Sequence, residues 1–155
     1  MGLDMYLYRE QYFGGWDHSE DVDKYRDILL SAEMKAHRSC PSVTVKVCVA
    51  YWRKANAIHK WFCDLDGGRD ECQPIDVRVS QLRTLRALAD AVLLQPAVAE
   101  SVLPPQSGFF FGSTDIDQWY MEDMKNTVTQ LDEVLADIPI DASDWDYRFI
   151  YQASW

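Results

Sequence analysis

The residues best suited to chemistry lie between Tyr51 and Phe62, in the sequence YWRKANAIHKWF. Arginine and lysine can hold a phosphate or carboxylate, asparagine can recognise a base edge, and tryptophan can stack on a base. We therefore take five residues as candidates for ligand binding: Trp52, Arg53, Asn56, His59 and Lys60.

The spacing of this stretch predicts one amphipathic helix. Its apolar side chains recur at i, i+3, i+4 and i+7, as Ile58, Trp61, Phe62 and Leu65. On such a helix Trp52, Asn56 and His59 share a face, and the cations lie beside them. The result is a polar, cationic strip opposite the apolar stripe. The alternative is a solvated face on which Trp52 and His59 are half-buried for packing.

A second set of candidates consists of acidic residues on and before a predicted helix that ends near Asp137. Six carboxylates are candidates for binding a partner: Asp115, Asp117, Glu122, Asp123, Asp132 and Glu133. Carboxylates along a surface can imitate a phosphate backbone, occupy a basic groove and speed the encounter electrostatically. Ordinary solubilising charge is the alternative interpretation.

Catalytic and metal-binding patterns have little support. His59 and Cys63 are four residues apart and could approach on one helix, but this spacing is common by chance. The acids from Asp64 to Glu71 could bind a cation, yet they lack EF-hand spacing, which favours a solvated acidic turn. We therefore predict no catalytic residue, no metal ligand and no cofactor.

Composition indicates a folded protein with one domain over residues 1–155, since 48% of its residues are hydrophobic. The net charge of −10 argues against direct binding to nucleic acid or to anionic membranes. The four cysteines show no zinc-ribbon spacing, and no signal peptide or membrane-spanning run is evident. We expect free thiols and a cytoplasmic location; composition does not define the oligomeric state.

Periodicity predicts an α+β fold in which a mostly antiparallel sheet carries about four helices in a single layer on one face. The predicted strands are Leu3–Arg9, Val43–Ala50, Val77–Val79 and Trp145–Tyr151. The predicted helices begin at Ser19, near Tyr51, at Ser80 and after Thr114–Asp117. The first is expected to fade by Arg38 and the second to end at Gly67-Gly68.

Before the last helix, residues 108–114 read GFFFGST. The glycines permit close approach of another segment, and Ser113 and Thr114 precede a helix N-terminus that favours an anion. Because Asp115 and Asp117 already supply negative charge there, helix capping is the favoured role. We expect the phenylalanines to belong mainly to the core, with one of them exposed at a pocket edge.

Four segments together are distinctive: GLDMYL from Gly2, YWRKANAIH from Tyr51, QSGFFFGST from Gln106 and the terminal YQASW. With these motifs the chain resembles a family of small proteins encoded by phages, prophages and some bacteria. The resemblance spans nearly the whole length and implies a complete protein that acts in the cytoplasm of an infected host. It carries over no catalytic residue, and the stretch Asp66–Val79 departs from the family pattern.

The resemblance and the charge pattern suggest a non-enzymatic binding protein that counters a host defence. In one form, the acidic surface blocks a basic site on a bacterial immune complex. In the other, the strip from Trp52 to Lys60 binds a small anionic nucleotide signal. The alternatives are a small enzyme acting on a nucleotide or phosphorylated substrate at that strip, and a phage assembly protein.

Overall fold

The protein is described over residues 2–155 by a computed structural model. Its elements are, in order, β1 (Asp4–Gly14), α1 (Val22–Ser31), β2 (Ser42–Arg53), α2 (Asn56–Leu65), β3 (Ile75–Val77), α3 (Val79–Leu94), a 3₁₀ turn (Pro96–Val98), α4 (Ala99–Val102), α5 (Gln118–Leu135) and β4 (Arg148–Ser154). The strands form one antiparallel sheet in the order β2-β1-β4-β3. The predicted α+β class is therefore confirmed.

The chain divides into two compact units. The larger comprises the chain up to Arg9 together with Cys48–Trp155, and the smaller is Glu10–Val47. Because β1 and β2 each contribute residues to both units, the prediction of a single domain over residues 1–155 stays a prediction.

The core of the larger unit lies between one face of the sheet and the helices. On β1, Leu3, Met5 and Leu7 are fully buried, while the alternating Tyr6 and Tyr8 are partly exposed. The buried β1 residues share one hydrophobic cluster with side chains of the helices, including Ile58, Leu82 and Met124. This alternation is the pattern of a sheet with helices on one face.

The smaller unit contains α1, which is shorter than the sequence predicts. The helix begins at Val22 rather than after Ser19, and it ends at Ser31, well before Arg38. Glu33 adopts a φ of +54°, and the N–H of Met34 donates to the carbonyl of Leu29 at 3.0 Å. This left-handed closure ends the helix without a glycine. β1 also runs to Gly14, beyond the predicted end at Arg9.

The prediction of one helix from Tyr51 to Leu65 was wrong. β2 continues to Arg53, Lys54 turns the chain with a φ of +60°, and α2 begins at Asn56. The aromatic residues here fit a pleated strand as well as a helix. The end of α2 was predicted correctly, since Gly67 and Gly68 both have positive φ.

The larger unit also contains α3 and the two remaining strands. The predicted inner face of α3 is confirmed, because Leu82, Leu85, Ala89 and Val92 are all fully buried. Ser80 does not cap α3, since the Arg78 N–H donates to Gln81 at 2.8 Å instead. β3 begins two residues earlier than predicted, and β4 runs from Arg148 to Ser154 rather than from Trp145 to Tyr151. Among residues 2–155, every helix is too short or too polar to cross a bilayer.

Candidate functional site

Trp52, the predicted stacking residue, is part of the core. It lies near the end of β2 with 1% of its surface exposed. Its indole Nε1 donates to Thr127 Oγ1 on α5 at 3.0 Å. The ring therefore has no free face on which a base could stack, and the predicted strip does not exist as one exposed surface.

Asn56 opens α2 and is also buried. Its Nδ2 donates to the carbonyls of Phe111 and Ser113, at 3.2 and 2.7 Å, and its Oδ1 accepts from the Gln106 N–H at 3.3 Å. The amide thus holds the segment from Gln106 to Ser113 against α2. Because the Asn56 amide is already hydrogen-bonded to these backbone groups, it is not available to a ligand.

The GFFFG segment divides its phenylalanines between core and surface. Phe111 is buried and meets the His59 ring edge-on at 5.0 Å, whereas Phe109 is 94% exposed. A Cβ on Gly108 would lie 2.3 Å from the Phe111 ring. Glycine is therefore required at position 108 to admit the ring.

His59 is the centre of a buried polar chain, which we define as Tyr151, His59, Asp70 and the adjacent Cys63. The His59 Nδ1 lies 2.6 Å from the Tyr151 hydroxyl, and Nε2 lies 3.0 Å from Asp70 Oδ1. Cys63, one turn further along α2, places its Sγ 3.6 Å from Nε2. The ring is only 1% exposed, and both of its nitrogens have hydrogen-bond partners inside the protein.

Burial also sets the ionisation of the polar chain. It lowers the pKa of His59, against an opposing effect of Asp70, and raises the pKa of Tyr151 well above its usual value. The pKa of Cys63 rises to about 12 because the thiol is desolvated and lies near Asp70. The thiol is thus protonated at neutral pH, which disfavours a Cys63–His59 nucleophile.

The acidic turn after α2 does not act as one cluster. Asp66 is bound by Arg69 at 2.7 Å, and Asp64 pairs with Lys60 on the preceding turn of α2. Asp70 instead points to His59 and also accepts from the Trp155 indole at 3.2 Å. The turn therefore supplies one residue to the interior and leaves the others on the surface.

A pocket of about 320 Å³ lies beside the first turns of α5, and we call it the acidic pocket. Its lining residues are Arg53, Lys54, Asn56, Ala57, Gly112, Ser113, Asp115, Asp117, Trp119, Tyr120, Glu122 and Asp123. Four predicted partner-binding acids and two predicted ligand-binding residues thus meet in one place. The sequence did not predict this meeting.

The carboxylates of the acidic pocket are not equivalent. Asp117 itself caps α5 by accepting from the N–H groups of Trp119 and Tyr120, at 2.9 and 3.1 Å. The predicted capping box, with Thr114 as the cap and Asp117 as its partner, was wrong because α5 begins only at Gln118. Glu122 accepts from Lys125 at 2.9 Å. Asp123 has no side-chain hydrogen bond or ion pair with any of residues 2–155, and burial beside Asp117 raises its pKa to about 6.

The other groups around the pocket are exposed. Trp119 shows 75% of its surface, and the Arg53 side chain is 63% exposed with its Nε 3.9 Å from Asp4 Oδ1. An exposed indole beside carboxylates is a favourable environment for an ammonium or guanidinium group. Sequence reasoning missed Trp119, although it lies two residues after the capping Asp117.

The remaining two predicted partner-binding acids lie elsewhere. Asp132 forms a two-point ion pair with Arg86, at 2.8 and 3.2 Å, and this pair lowers the pKa of Asp132. Glu133 lines a separate hollow of about 220 Å³ with Arg9 and Asp137. The six acids therefore do not form one continuous docking surface.

Comparison of the chain with protein-family models, curated proteins and solved structures finds no match. The resemblance to a phage-encoded family therefore stays a prediction.

Proposed function

We propose that the protein is a non-enzymatic binding protein whose acidic pocket receives a basic side chain of a protein partner. The observation that carries the proposal is the state of Asp123, a carboxylate that is partly buried, has no partner within residues 2–155 and has a raised pKa. A cation placed beside it would compensate the charge that the fold leaves unbalanced.

The pocket suits a guanidinium better than an anion. Its four carboxylates outnumber the two cations, Arg53 and Lys54. Trp119 offers an aromatic face at the same site, and cation–π contacts add about 0.5–2 kcal/mol depending on desolvation. Arginine can also bind two carboxylate oxygens at once, which gives orientation as well as affinity.

The setting that we propose is counter-defence in an infected bacterial cell. Basic side chains line the nucleic-acid-binding sites of bacterial immune complexes, because those sites must neutralise phosphate charge. An acidic protein that occupies such a site would block it without catalysis. The net charge of −10 would speed the encounter at low ionic strength.

The test is an infection assay with two charge-matched double variants of α5 and its C-terminal flank. Glu122→Gln with Asp123→Asn removes two charges from the acidic pocket. Glu133→Gln with Asp137→Asn removes two charges from the separate hollow. We expect the first pair to abolish protection of the phage and the second to preserve it. Equal effects of both pairs would contradict a specific role of the pocket.

A nucleotide signal is the second candidate, favoured by the cations Arg53 and Lys54 in the same pocket. Its expected stacking residue is buried, and Asn56 is engaged by backbone groups, so fewer contacts remain than the sequence suggested. Replacing Arg53 by Ala should abolish nucleotide binding under this alternative and preserve binding of a basic partner. Turnover of a nucleotide panel, lost on His59→Ala, would instead support an enzyme.

A further inference from the structure

Three different donor atoms converge in the buried polar chain. The side chains of His59, Cys63 and Asp70 each offer one ligand atom, and these atoms lie within 4.8 Å of one another. His59 and Cys63 lie on successive turns of α2, at i and i+4. The turn at Gly67 and Gly68, both with positive φ, brings the chain back so that Asp70 faces them.

The two separations from His59 Nε2 are close to those around one tetrahedral ion. With bonds of about 2.0–2.1 Å to nitrogen, 2.3 Å to sulfur and 2.0–2.2 Å to oxygen, a tetrahedral zinc ion holds nitrogen and sulfur about 3.5 Å apart and nitrogen and oxygen about 3.4 Å apart. The distances from His59 Nε2 are 3.6 Å to Cys63 Sγ and 3.0 Å to Asp70 Oδ1. These two separations are within a few tenths of an ångström of the tetrahedral values, and the Cys63 and Asp70 ligand atoms lie no more than 4.8 Å apart.

The surroundings of these donors resemble the outer shell of a metal site. Histidine ligands usually bind a second group through the other ring nitrogen, and His59 Nδ1 lies 2.6 Å from the Tyr151 hydroxyl. The Asp70 carboxylate is held by the Trp155 indole at 3.2 Å and by the Gln106 amide at 3.4 Å. Hydrogen bonds therefore orient the His59 and Asp70 side chains, and α2 positions Cys63.

We propose that His59, Cys63 and Asp70 form a binding site for a divalent transition-metal ion of the zinc class. A mixed nitrogen, sulfur and oxygen set selects such ions over magnesium or calcium, which prefer oxygen alone. A water molecule or the second oxygen of Asp70 would occupy the fourth position. No metal ligand was predicted from the sequence, in which Asp70 looks like one of the exposed acids of its turn.

Binding has a defined proton balance. The Cys63 thiol loses its proton when sulfur binds the ion, so one proton is released to solvent for each ion taken up. In the metal-free protein the proton of the neutral His59 ring lies on Nε2 and is donated to Asp70; when Nε2 binds the ion, the ring carries that proton on Nδ1 and donates it to the Tyr151 oxygen. Metal uptake should therefore acidify a weakly buffered solution.

The experiment is a cobalt titration of the full chain after treatment with a chelator. Tetrahedral cobalt bound to a thiolate gives a charge-transfer absorption in addition to its visible bands. We expect both at one equivalent in the wild type, displaced by zinc. Cys63→Ser should lose the charge-transfer band, whereas the matched control Cys48→Ser, at an exposed thiol, should keep it.

Two further variants keep the proposal testable if Cys63→Ser folds poorly by circular dichroism. Asp70→Asn preserves the shape of a partly exposed side chain and should weaken zinc binding at least tenfold. Tyr151→Phe keeps the ring and should weaken zinc about 10–100-fold, as other outer-shell changes do. No tetrahedral cobalt spectrum in the wild type, or an unchanged spectrum in Cys63→Ser, would overturn the proposal.

Discussion

The buried polar chain and the acidic pocket differ in whether their ionisable groups have partners within the protein. In the polar chain, both ring nitrogens of His59 have partners, and burial keeps its Tyr151 and Cys63 groups uncharged near neutral pH. In the acidic pocket, Asp123 carries a charge for which residues 2–155 provide no compensating partner. Without a metal ion, the groups of the polar chain satisfy one another inside the fold, whereas Asp123 depends on a partner from outside for its compensation.

The two regions also show that the type of a residue does not determine whether its side chain is available to a ligand. The histidine, tryptophan and asparagine that drew attention in the sequence are the residues whose hydrogen bonds are already used. Trp119 received no attention in the sequence, yet it is 75% exposed beside the carboxylates. Whether a side chain is free to bind a ligand depends on partners that are distant in the sequence. The spacing of residues alone therefore does not predict it.

The largest predicted effect is on the polar chain. His59→Ala leaves a cavity and removes the partner of both Tyr151 and Asp70. We expect a loss of about 3–5 kcal/mol in the free energy of unfolding, measured by urea denaturation. Lys60→Ala is the matched control on the next position of α2, and it should cost less than about 1 kcal/mol because its pair with Asp64 is near the surface. Equal losses would contradict a special role for the buried chain.

A smaller loss is expected at Asn56. Asn56→Ala leaves the carbonyls of Phe111 and Ser113 without their donor and should cost about 2–3 kcal/mol. Amide hydrogen exchange should accelerate mainly between Gln106 and Ser113. Uniform acceleration across the chain would show instead that the residue supports the whole unit.

In the acidic pocket, we predict that removing a charge increases the stability of the protein. The folded-state pKa of Asp123 is raised from 3.8 to about 6, so its contribution to stability is fully present below pH 4 and is lost as pH rises towards 6. Asp123→Asn should therefore raise the stability at pH 7, by about 1 kcal/mol once solvent screening is included.

The check for Asp123 is thermal unfolding measured from pH 4 to pH 7.5. The wild-type stability should fall relative to Asp123→Asn across that range. A variant less stable than the wild type at pH 7 would mean that the carboxylate is already compensated in the folded protein.

The smallest effect is expected at Asp132, whose surface pair with Arg86 makes it the paired counterpart of Asp123 on the same helix. Asp132→Asn should lower the stability by no more than about 1 kcal/mol at pH 7, with the opposite sign to Asp123→Asn. Chemical denaturation of the two variants side by side measures this difference. The same sign for both would remove the distinction between paired and unpaired acids.

Local patterns in the sequence predicted the parts of the fold that local physics determines. The alternation of Leu3, Met5 and Leu7 predicted a half-buried strand, and the stripe from Leu82 to Val92 predicted the inner face of α3. The boundary at Arg53 was missed because the burial of Trp52 depends on Thr127, 75 positions further along the chain. The contact between Asp70 and His59 was missed because it requires the turn at Gly67 and Gly68.

Binding of a basic side chain in the acidic pocket can be measured directly by an NMR titration of the full chain with a short arginine-containing peptide. The control is the same peptide with citrulline, which keeps the shape of arginine but carries no charge. We predict that arginine shifts the backbone signals from Gly112 to Asp123, that citrulline does not, and that Asp123→Asn abolishes the response while Asp132→Asn preserves it. Equal shifts with both peptides, or a full response in Asp123→Asn, would contradict the claim that the acidic pocket is a receptor for a basic side chain.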